Sequence, residues 1–468
     1  MNRTKIICTM GPSVASEQRI ADMVENGMSV IRFNCSHGTP EVRLKQLRMV
    51  RRVEKRLKKS IGIMLDLQGP KLRVGDLPNP FFLNRGEVWQ MGRGAHASED
   101  KKVIPLGFSL SAGVSVGSYI YMHDGLICTE VVKKDTHNVW VKIIHGGLLE
   151  SRKGINIPFY RGKISALSPK DKADVLWGLE NKVDFIALSF VRHAEDILQL
   201  KNLIAKAKPE ADPLVVAKIE KPEAVTEMDE IIQVSDGILI ARGDLGIELK
   251  QEKVPVVQKQ LIERCRFFKK PVIVATQMLD SMRLHPVPTR AEVSDVASAI
   301  YAGSDAVLLT GETSNGKYPI ETTKMMNNII GEVENHMIVK TFRKKPEDFG
   351  LKGFEEAFIF NVMQTADDID AKAIVILNRR GILTKIMSKL HPKQPVYSMA
   401  YNFSSYRQLN LYWGVFPIEV SNKNTNKRIL SGVNILKAKK VVKKSDRLIF
   451  IFRDYLTNYL NLKIVEVE

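Results

Sequence analysis

A lysine and a glutamate stand two residues apart at the end of an apolar run, in residues 214–220 (LVVAKIE). Side chains two residues apart on a β-strand point to the same face, so Lys218 and Glu220 share one. Two interpretations are open: a partly buried ion pair, or a lysine that holds an anion beside a glutamate that holds a metal ion. Burying an ion pair without function costs desolvation free energy, and this cost favours the second interpretation.

A second carboxylate, Asp244, lies between glycines in residues 241–246 (ARGDLG), where a helical pattern begins. The N–H groups at the start of a helix bind anions such as carboxylate or phosphate. Glu220 and Asp244, on adjacent strands, are expected to hold one divalent ion together, because Mg²⁺ prefers one or two carboxylates plus substrate oxygens and waters. Lys218 would then neutralise charge on a transferring phosphoryl group or an enolate.

Another group of polar residues stands in the stretch 27–38 (GMSVIRFNCSHG). Arg32, Asn34 and Ser36 fall on one face of an extended segment, and His37 is next to them. An arginine, two neutral oxygen-bearing side chains and a histidine suit a phosphate together with a cation. A purely structural hydrogen-bond cluster is the alternative.

Further apolar runs end in polar residues of related kinds. Asp66 ends one run, and Lys71 and Arg73 follow after a turn; alone this is a weak signal, because turns flanked by basic residues are common. Thr276 and Thr310 end two other runs. Their hydroxyls can orient a water that carries a proton, although a single threonine at a strand end is usually structural.

The elements that must position these residues follow one repeated pattern, a short β-branched run that ends in polar residues and precedes a helix-like stretch. Such runs with intervening helices indicate buried parallel strands. Eight of them predict a (β/α)8 barrel, in which chemistry takes place at the carboxyl ends of the strands. The runs are residues 4–12, 27–38, 61–71, 183–191, 213–223, 236–246, 270–279 and 304–313.

The series of strand–helix units is interrupted once, after the third strand, and it stops well before the C-terminus. Residues 71–163 contain short segments with turn signals, which predict an all-β cap domain inserted after the third barrel strand. The barrel itself is expected to comprise residues 1–70 and 164–345. A new alternation of strands and helices over residues 346–468 predicts a C-terminal α/β domain, with strands in 371–378, 394–401, 414–421 and 447–454.

Composition excludes several classes of protein. The chain has 468 residues, of which 44% are hydrophobic and 26% charged, and its four cysteines have no CxxC spacing. This argues against a zinc ribbon or a disulfide scaffold and favours a reducing, cytoplasmic compartment. We expect no signal peptide, and no apolar run reaches the length needed to span a membrane.

The net charge of +18 is unusual for such a chain. Positive charge attracts phosphates of any kind, and basic residues are concentrated in 45–59 and 437–444. Solvated helix faces are the favoured explanation. Because no zinc-finger, homeodomain or RNP-type signature is present, nucleic acid is not an expected partner, and a salt-dependent secondary interaction remains open to test.

The polar strand ends, taken together and in order, closely resemble pyruvate kinase. The resemblance is strong over residues 1–340 and weaker beyond, where NLYWGVFPI (410–418) still matches the C-terminal domain. It implies the fold predicted above and the transfer of a phosphoryl group from phosphoenolpyruvate to ADP, giving pyruvate and ATP. The matching strings are TKIICTMGP, IRFNCSHG, DLQGPKLRVG, RKGINIP, AKIEKPEAV, DGILIARGDLGIEL, KPVIVATQML, PTRAEVSDVASAI and LLTGETSNGKYP.

The resemblance implies a role for each matched residue around the substrate. Arg32 and Lys218 would hold the phosphoryl group, and Lys218 would also stabilise the enolate. Glu220 and Asp244 would ligate Mg²⁺, with Mn²⁺ as an alternative. Backbone N–H groups of Gly243 and Asp244 would receive the substrate carboxylate.

The resemblance extends to proton transfer and to the nucleotide. Thr276, helped by Thr310, would organise the water that protonates the enolate; the family usually has serine where Thr310 stands, and the hydroxyl is kept. The nucleotide with its own Mg²⁺ would lie under the cap, which closes over substrate and excludes water. Its expected contacts are Asn34, His37, Arg73 and Lys153.

Lys71 stands where relatives that need K⁺ generally have glutamate. In those relatives K⁺ lies near the equivalents of Asn34, Ser36, Asp66 and Leu67. A tethered ammonium can occupy the position of the free cation, so we expect activity without K⁺. The family is mostly tetrameric, and a homotetramer is expected here as well.

Two departures concern regulation. Sugar-phosphate-regulated relatives carry a Ser- and Thr-rich loop after the first strand of the C-terminal domain. Here residues 378–384 (NRRGILT) have charge but few hydroxyls, which argues against binding of fructose 1,6-bisphosphate in the usual manner. The family's glycine-rich ending is replaced by FRDYLTNYLNLKIVEVE.

Two other functions compete with phosphoryl transfer. Another Mg²⁺-dependent barrel enzyme acting on pyruvate-like substrates, such as an aldolase, also uses Glu and Asp from adjacent strands, but the cap and the basic residues Arg73 and Lys153 argue against it. A basic binding protein without turnover is the other. Such a degenerate copy would have lost Lys218, Glu220, Asp244 or Thr276, and all four are present.

Overall fold

The eight predicted parallel strands close into a barrel. The computed structural model of the chain describes residues 2–162, 164–210, 212–339, 353–377, 381–400, 403–420, 424–454, 457 and 459–468. The strands are hydrogen-bonded in the order β1-β17-β16-β15-β14-β13-β3-β2 around the closed sheet. They are β1 Lys5–Thr9, β2 Met28–Asn34, β3 Gly62–Asp66, β13 Phe185–Leu188, β14 Leu214–Ile219, β15 Gly237–Ala241, β16 Val272–Ala275 and β17 Ala306–Leu309.

Helices surround the barrel and bury the outward side chains of its strands. Several begin with a side chain that satisfies free N–H groups of the first turn; at α3 and α9, Ser168 and Thr289 form capping boxes. The helices are α1 Glu17–Glu25, α2 Pro40–Leu57, α3 Pro169–Glu180, α4 Ala194–Ala207, α5 Pro222–Thr226, α6 Met228–Val234, α7 Arg242–Glu248, α8 Val254–Phe267, α9 Arg290–Ala302, α10 Gly311–Ser314 and α11 Pro319–Val339.

The inward side chains of the strands form a separate core that fills the barrel, with Val30, Met64, Val216 and Leu239 among its members. Leu411, from the C-terminal part of the chain, belongs to the same cluster. The lumen is therefore a packed core, as in other (β/α)8 barrels.

The cap is the all-β insertion that the turn spacing predicts. Seven of its strands form one sheet in the order β4-β12-β8-β9-β10-β6-β7, and β11 pairs with β5. It has its own buried core. The strands are β4 Leu72–Arg73, β5 Phe81–Leu83, β6 Val88–Arg93, β7 Val103–Leu106, β8 Tyr119–Met122, β9 Ile127–Lys134, β10 Asn138–His145, β11 Gly147–Leu149 and β12 Gly154–Asn156.

The C-terminal part forms a five-stranded sheet in the order β20-β19-β18-β21-β22. The four predicted strands are present and parallel. The fifth, β22, runs antiparallel at the edge and was not predicted, although residues 460–463 (LNLK) alternate apolar and polar side chains. The strands and helices of the C-terminal part are α12 Phe354–Asp368, β18 Ala373–Leu377, α13 Ile382–Lys389, β19 Val396–Ala400, α14 Phe403–Gln408, β20 Val415–Glu419, α15 Thr425–Ala438, β21 Arg447–Arg453 and β22 Leu460–Glu466.

Ion pairs attach this sheet domain to the base of the barrel. Lys389 of α13 pairs with the fully buried Asp305, which directly precedes β17. Arg407 of α14 pairs with Glu54 of α2 at 2.6 Å. Residues 378–380 lie outside the described part, so the expectation about the sugar-phosphate loop is untested. Among the described helices, none is both long and apolar enough to cross a membrane.

Candidate active site

The alternation of side chains along the barrel strands brings the polar strand ends to one rim. Val30, Met64 and Val216 point into the lumen, so the residues two positions further along each strand point the same way. These are Arg32, Asp66 and Lys218. Because the strands are parallel, their carboxyl ends all lie at one end of the barrel, where chemistry in this architecture takes place.

Lys218 lies at the centre of the cluster at this rim. Its Nζ is 3.0 Å from Glu220 Oε1 and 3.2 Å from Asp66 Oδ1, and it donates a 2.7 Å hydrogen bond to Ser189 Oγ. Burial alone would lower the pKa of Lys218, but Asp66 and Glu220 more than offset it and the pKa is raised. The ammonium therefore stays charged at the mouth of the barrel.

Asp66 holds two cations side by side. Arg32 donates from Nε to Asp66 Oδ2 at 2.7 Å, and its second nitrogen lies 2.6 Å from the same oxygen. Arg32 also donates to Thr9 Oγ1 at 3.0 Å. Burial would raise the pKa of Asp66, but Lys218 and Arg32 reverse the shift and lower it. An ionised Asp66 thus keeps the guanidinium and the ammonium close together.

Glu220 is buried and has the properties of a metal ligand. The N–H of Phe190 donates to its Oε2 at 2.7 Å. Burial raises the pKa of Glu220, and the negative charge of Asp244 raises it further, although Lys218 opposes both. Two carboxylates that repel each other across a rim are suited to a divalent cation.

The donor set at this rim fits Mg²⁺. Within the described ranges no group of three or more His, Cys, Asp or Glu side chains forms a metal cage. Mg²⁺ does not require one, since it is usually bound through one or two carboxylates plus substrate oxygens and waters. Glu220 and Asp244 supply that number of carboxylates.

Lys71 approaches Asp244. Its Nζ lies 3.8 Å from Asp244 Oδ1 and 3.9 Å from Asp124 Oδ1 of the cap. A Cβ atom at Gly154 would lie 2.6 Å from Lys71 Cε, so a glycine at that position leaves room for the lysine chain. Asp66 is already paired with Arg32 and Lys218, and the Lys71 ammonium lies instead beside Asp244, one of the two carboxylates expected to hold the metal ion.

The other residues of the expected monovalent-cation region form two small hydrogen-bonded units. Asn34 Oδ1 accepts from the N–H of Ser36 at 3.0 Å. Ser189 Oγ donates to the carbonyl of Leu67 at 2.7 Å and lies 3.3 Å from Asp66 Oδ1. These contacts hold the two turns in place around the rim.

The two threonines are held by different partners. Thr276 Oγ1 accepts from the N–H of Gly243 at 2.7 Å and donates to the carbonyl of Ala275 at 2.6 Å. Its φ of 69° is costly for a β-branched residue, and it turns the hydroxyl toward the start of α7. Thr310 Oγ1 donates to the fully buried Glu312 at 3.1 Å.

The expected nucleotide residues come from two places. Arg73 of β4 pairs with Gly154, the first residue of β12, and Lys153 directly precedes that strand, so the two cations lie close together in the cap. Lys153 Nζ is 2.7 Å from Glu150 Oε2. Asn34 is the last residue of β2 and His37 lies in the turn that follows, where the N–H of His37 donates to the Asn34 carbonyl at 3.2 Å.

The sequence interpretation missed Ser189 and Thr9. Both follow the inward parity of a barrel strand, Ser189 two residues after Ala187 and Thr9 two after Ile7. Their inward position along the strands was the sequence signal that could have identified them. Their hydroxyls accept hydrogen bonds from Lys218 and Arg32 and so help to position both cations.

Known proteins resemble this chain along nearly its whole length. The pyruvate kinase barrel domain family matches residues 1–323, and the pyruvate kinase alpha/beta domain family matches residues 356–462. The chain is 38% identical to a pyruvate kinase of Geobacillus stearothermophilus over 431 residues, which are 92% of this chain and 73% of that protein. A pyruvate kinase of Bacillus licheniformis is 38% identical over 436 residues, 92% of this chain and 74% of that one. The crystal structure of a pyruvate kinase from Cryptosporidium parvum superimposes with a TM-score of 0.92 at 30% identity, covering 100% of this chain and 96% of the other.

Proposed function

The chain belongs to the pyruvate kinase family, and we propose that it carries out the family reaction at the rim formed by Arg32, Asp66, Lys218 and Glu220. The reaction transfers the phosphoryl group of phosphoenolpyruvate to ADP, giving pyruvate and ATP, the last step of glycolysis. The protein is thus a phosphotransferase.

The observation that carries the assignment is the pair of cations on Asp66. Arg32 and Lys218 both bind this buried carboxylate, at 2.6 Å and 3.2 Å. A phosphoryl group in transfer is stabilised by positive charge fixed in a water-poor site, because the charges need no reorganisation during the reaction. Lys218 is also placed to stabilise the enolate that remains when the phosphoryl group leaves.

Glu220 and Asp244 would hold the divalent cation, Mg²⁺ or its substitute Mn²⁺. A cation bound there would neutralise negative charge on the substrate. The N–H groups of Gly243 and Asp244 are the proposed receivers of the substrate carboxylate. In the structure Thr276 accepts the N–H of Gly243, so the hydroxyl must turn away when substrate binds.

Proton delivery to the enolate is assigned to Thr276, with Thr310 in support. A hydroxyl that exchanges hydrogen bonds with a water can pass on its proton. Thr310 is oriented by Glu312 and would fix that water. For the nucleotide we propose contacts with Asn34 and His37 of the barrel. Its cap contacts would be Arg73 and Lys153.

We further propose that activity does not require K⁺. Lys71 brings a tethered positive charge to within 3.8 Å of Asp244, at the rim where relatives use a free monovalent cation. Among the described residues the ammonium approaches Asp244 and forms no ion pair with Asp66, in the Asn34, Ser36, Asp66 and Leu67 region that the resemblance implies, so the tethered charge would act near the substrate and not at that position.

The remaining expectations concern organisation. We propose domain boundaries of 1–70 and 164–345 for the barrel, 71–163 for the cap and 346–468 for the C-terminal domain, supported by the separate sheets. We propose a homotetramer. In its support, the edge strand β22 exposes Leu462, Ile464 and the neighbouring Tyr459. A cytoplasmic location agrees with four free cysteines.

The site assignment is tested by direct metal binding. Mn²⁺ is titrated into the protein and followed by electron paramagnetic resonance, for the wild type and for Glu220→Gln and Asp244→Asn. Both variants are expected to lose the site. Asp124→Asn is the matched control, because Asp124 lies 3.9 Å from the same Lys71 ammonium but is not assigned to the metal. Unchanged Mn²⁺ binding in Glu220→Gln would refute the assignment.

A further inference from the structure

A cavity of about 580 Å³ lies between the base of the barrel and the C-terminal domain. We name it the junction cavity. From the barrel it is lined by Asp236, Lys269 and Lys270, which precede strands β15 and β16. It therefore opens at the amino ends of the strands, opposite the active rim. Its volume is in the range of sites for small organic ligands.

The acidic residues that line the junction cavity are already paired. Asp236 lies 3.0 Å from Lys201, and its other contact is the N–H of Val215 at 2.9 Å. Glu356 lies 2.5 Å from Lys269, and Glu355 pairs with Arg453. Asp236 is also the strongest opposing charge on Lys270 and Lys385, but among the described residues neither lysine forms an ion pair with a carboxylate of the lining.

Lys270 and Lys385 present positive charge to the cavity. Lys270 donates to the carbonyls of Gln233 and Ser235, at 3.1 Å and 2.5 Å, contacts that do not neutralise it. In the described part of the chain no carboxylate pairs with Lys385, whose Nζ lies 5.8 Å from the centre of the Tyr412 ring. Burial lowers the pKa of both lysines, and the negative charge of Asp236 opposes this shift only in part.

Tyr412 adds an unused donor. Its side chain is 1% exposed and lines the cavity. Its hydroxyl has no hydrogen-bond partner among the residues that the structure describes. A buried hydroxyl without a partner costs free energy, and folded proteins rarely leave one so. A ligand oxygen in the cavity would supply the missing acceptor.

The rest of the lining is apolar and partly open. Phe354 is 75% exposed and Ile382 is 47% exposed, and Ile386 lies one helical turn beyond Ile382 on α13. Exposed apolar side chains beside two lysines that form no ion pair suit a ligand with an anionic group and an apolar organic part. Three donors from two cations and one phenol match the oxygens of a dianionic phosphate better than those of a carboxylate.

We propose that the junction cavity binds a small organic phosphate monoester, held by Lys270, Lys385 and the Tyr412 hydroxyl with its organic part against Phe354 and Ile382. The ligand would bridge the two domains. Helix α13 carries Lys385 and also Lys389, which pairs with Asp305 at the start of β17. Occupation of the cavity therefore stabilises the domain junction that these residues form.

The test uses phenyl phosphate and the full-length protein. Calorimetric titration is done with saturating pyruvate and Mg²⁺, so that the active rim is occupied without adding a second phosphate monoester. We expect a dissociation constant below about 1 mM, the range of a ligand this small, and weaker binding of benzoate. Absence of binding up to about 10 mM would overturn the proposal. Benzoate binding as tight as that of phenyl phosphate would overturn the assignment to phosphates.

Three variants locate the binding. Lys385→Met should weaken phenyl phosphate about tenfold or more, since it removes a charge-assisted contact. Tyr412→Phe should weaken it about threefold without lowering the melting temperature, because the hydroxyl has no partner in the free protein. Lys444→Met, an exposed lysine of the same domain that does not line the cavity, is the control. Equal dissociation constants in Lys385→Met and Lys444→Met would overturn the proposal.

Discussion

Replacing Lys218 by methionine should nearly abolish turnover in a protein that still folds. The Lys218 ammonium is 3.0 Å from Glu220 and 3.2 Å from Asp66. At an effective dielectric constant of about 20, each pair has a Coulomb energy of about 5 kcal/mol before desolvation is subtracted. Breaking a buried pair costs roughly 3–5 kcal/mol net.

The lower end of that range applies here. Asp66 keeps Arg32 at 2.6 Å, and Glu220 can take up a proton because burial already raises its pKa. We therefore expect a loss of about 3 kcal/mol in the free energy of unfolding. Turnover should fall about 10³-fold or more, as when a charge that stabilises a phosphoryl transfer is removed.

Lys221→Met separates the two effects. Lys221 forms a buried ion pair with Glu248, and its side chain is 14% exposed against 12% for Lys218. Both variants should unfold at lower urea concentrations by similar amounts. Pyruvate formation, followed with lactate dehydrogenase and NADH, should remain above about a tenth of wild type only in Lys221→Met. An equal loss of turnover in both variants, or near-normal turnover in Lys218→Met, would refute the role of Lys218.

Other residues give further expectations. Lys71→Glu should make turnover depend on added K⁺; unchanged rates in K⁺-free buffer would argue against the tethered charge. Burial raises the pKa of Asp184 to about 6, with Arg51 and Arg407 opposing. The stabilising contribution of protonated Asp184 is therefore full below pH 4 and is lost as the pH rises through 6. The difference in unfolding free energy between wild type and Asp184→Asn should change by up to about 3 kcal/mol over this pH range. A difference that does not change with pH would contradict the raised pKa. Thr276→Val should lower turnover about 10²-fold and Thr276→Ser only slightly; equal rates in rapid-quench assays of pyruvate release would exclude the proton role.

The barrel and much of the site could be predicted because both follow from strand periodicity. Parallel strands buried on both faces appear as continuous apolar runs, and the first polar residue of inward parity marks the rim. Lys218 and Arg32 were found in this way. Ser189 has the same parity and was missed, since a serine after an apolar run carries no charge to draw notice.

The partners within the site could not be read from the sequence. Asp66 was expected near a monovalent cation, and in the structure it binds Arg32 and Lys218. Lys71 was expected in the same region and lies beside Asp244. Which carboxylate a flexible cation reaches depends on the charges around it in three dimensions, and residue spacing does not contain that information. Strand β22 was missed for another reason: its residues alternate apolar and polar (LNLK, 460–463), whereas the other strands of this sheet were found as continuous apolar runs.

The most direct test of the account is pyruvate formation from phosphoenolpyruvate and ADP with Mg²⁺, measured in K⁺-free buffer and again with K⁺ added. We expect the same rate in both. Turnover only with K⁺ would contradict the role of Lys71 while leaving the phosphoryl transfer in place. Folded protein that forms no pyruvate in either buffer would contradict the central claim that the Arg32–Lys218 rim transfers a phosphoryl group.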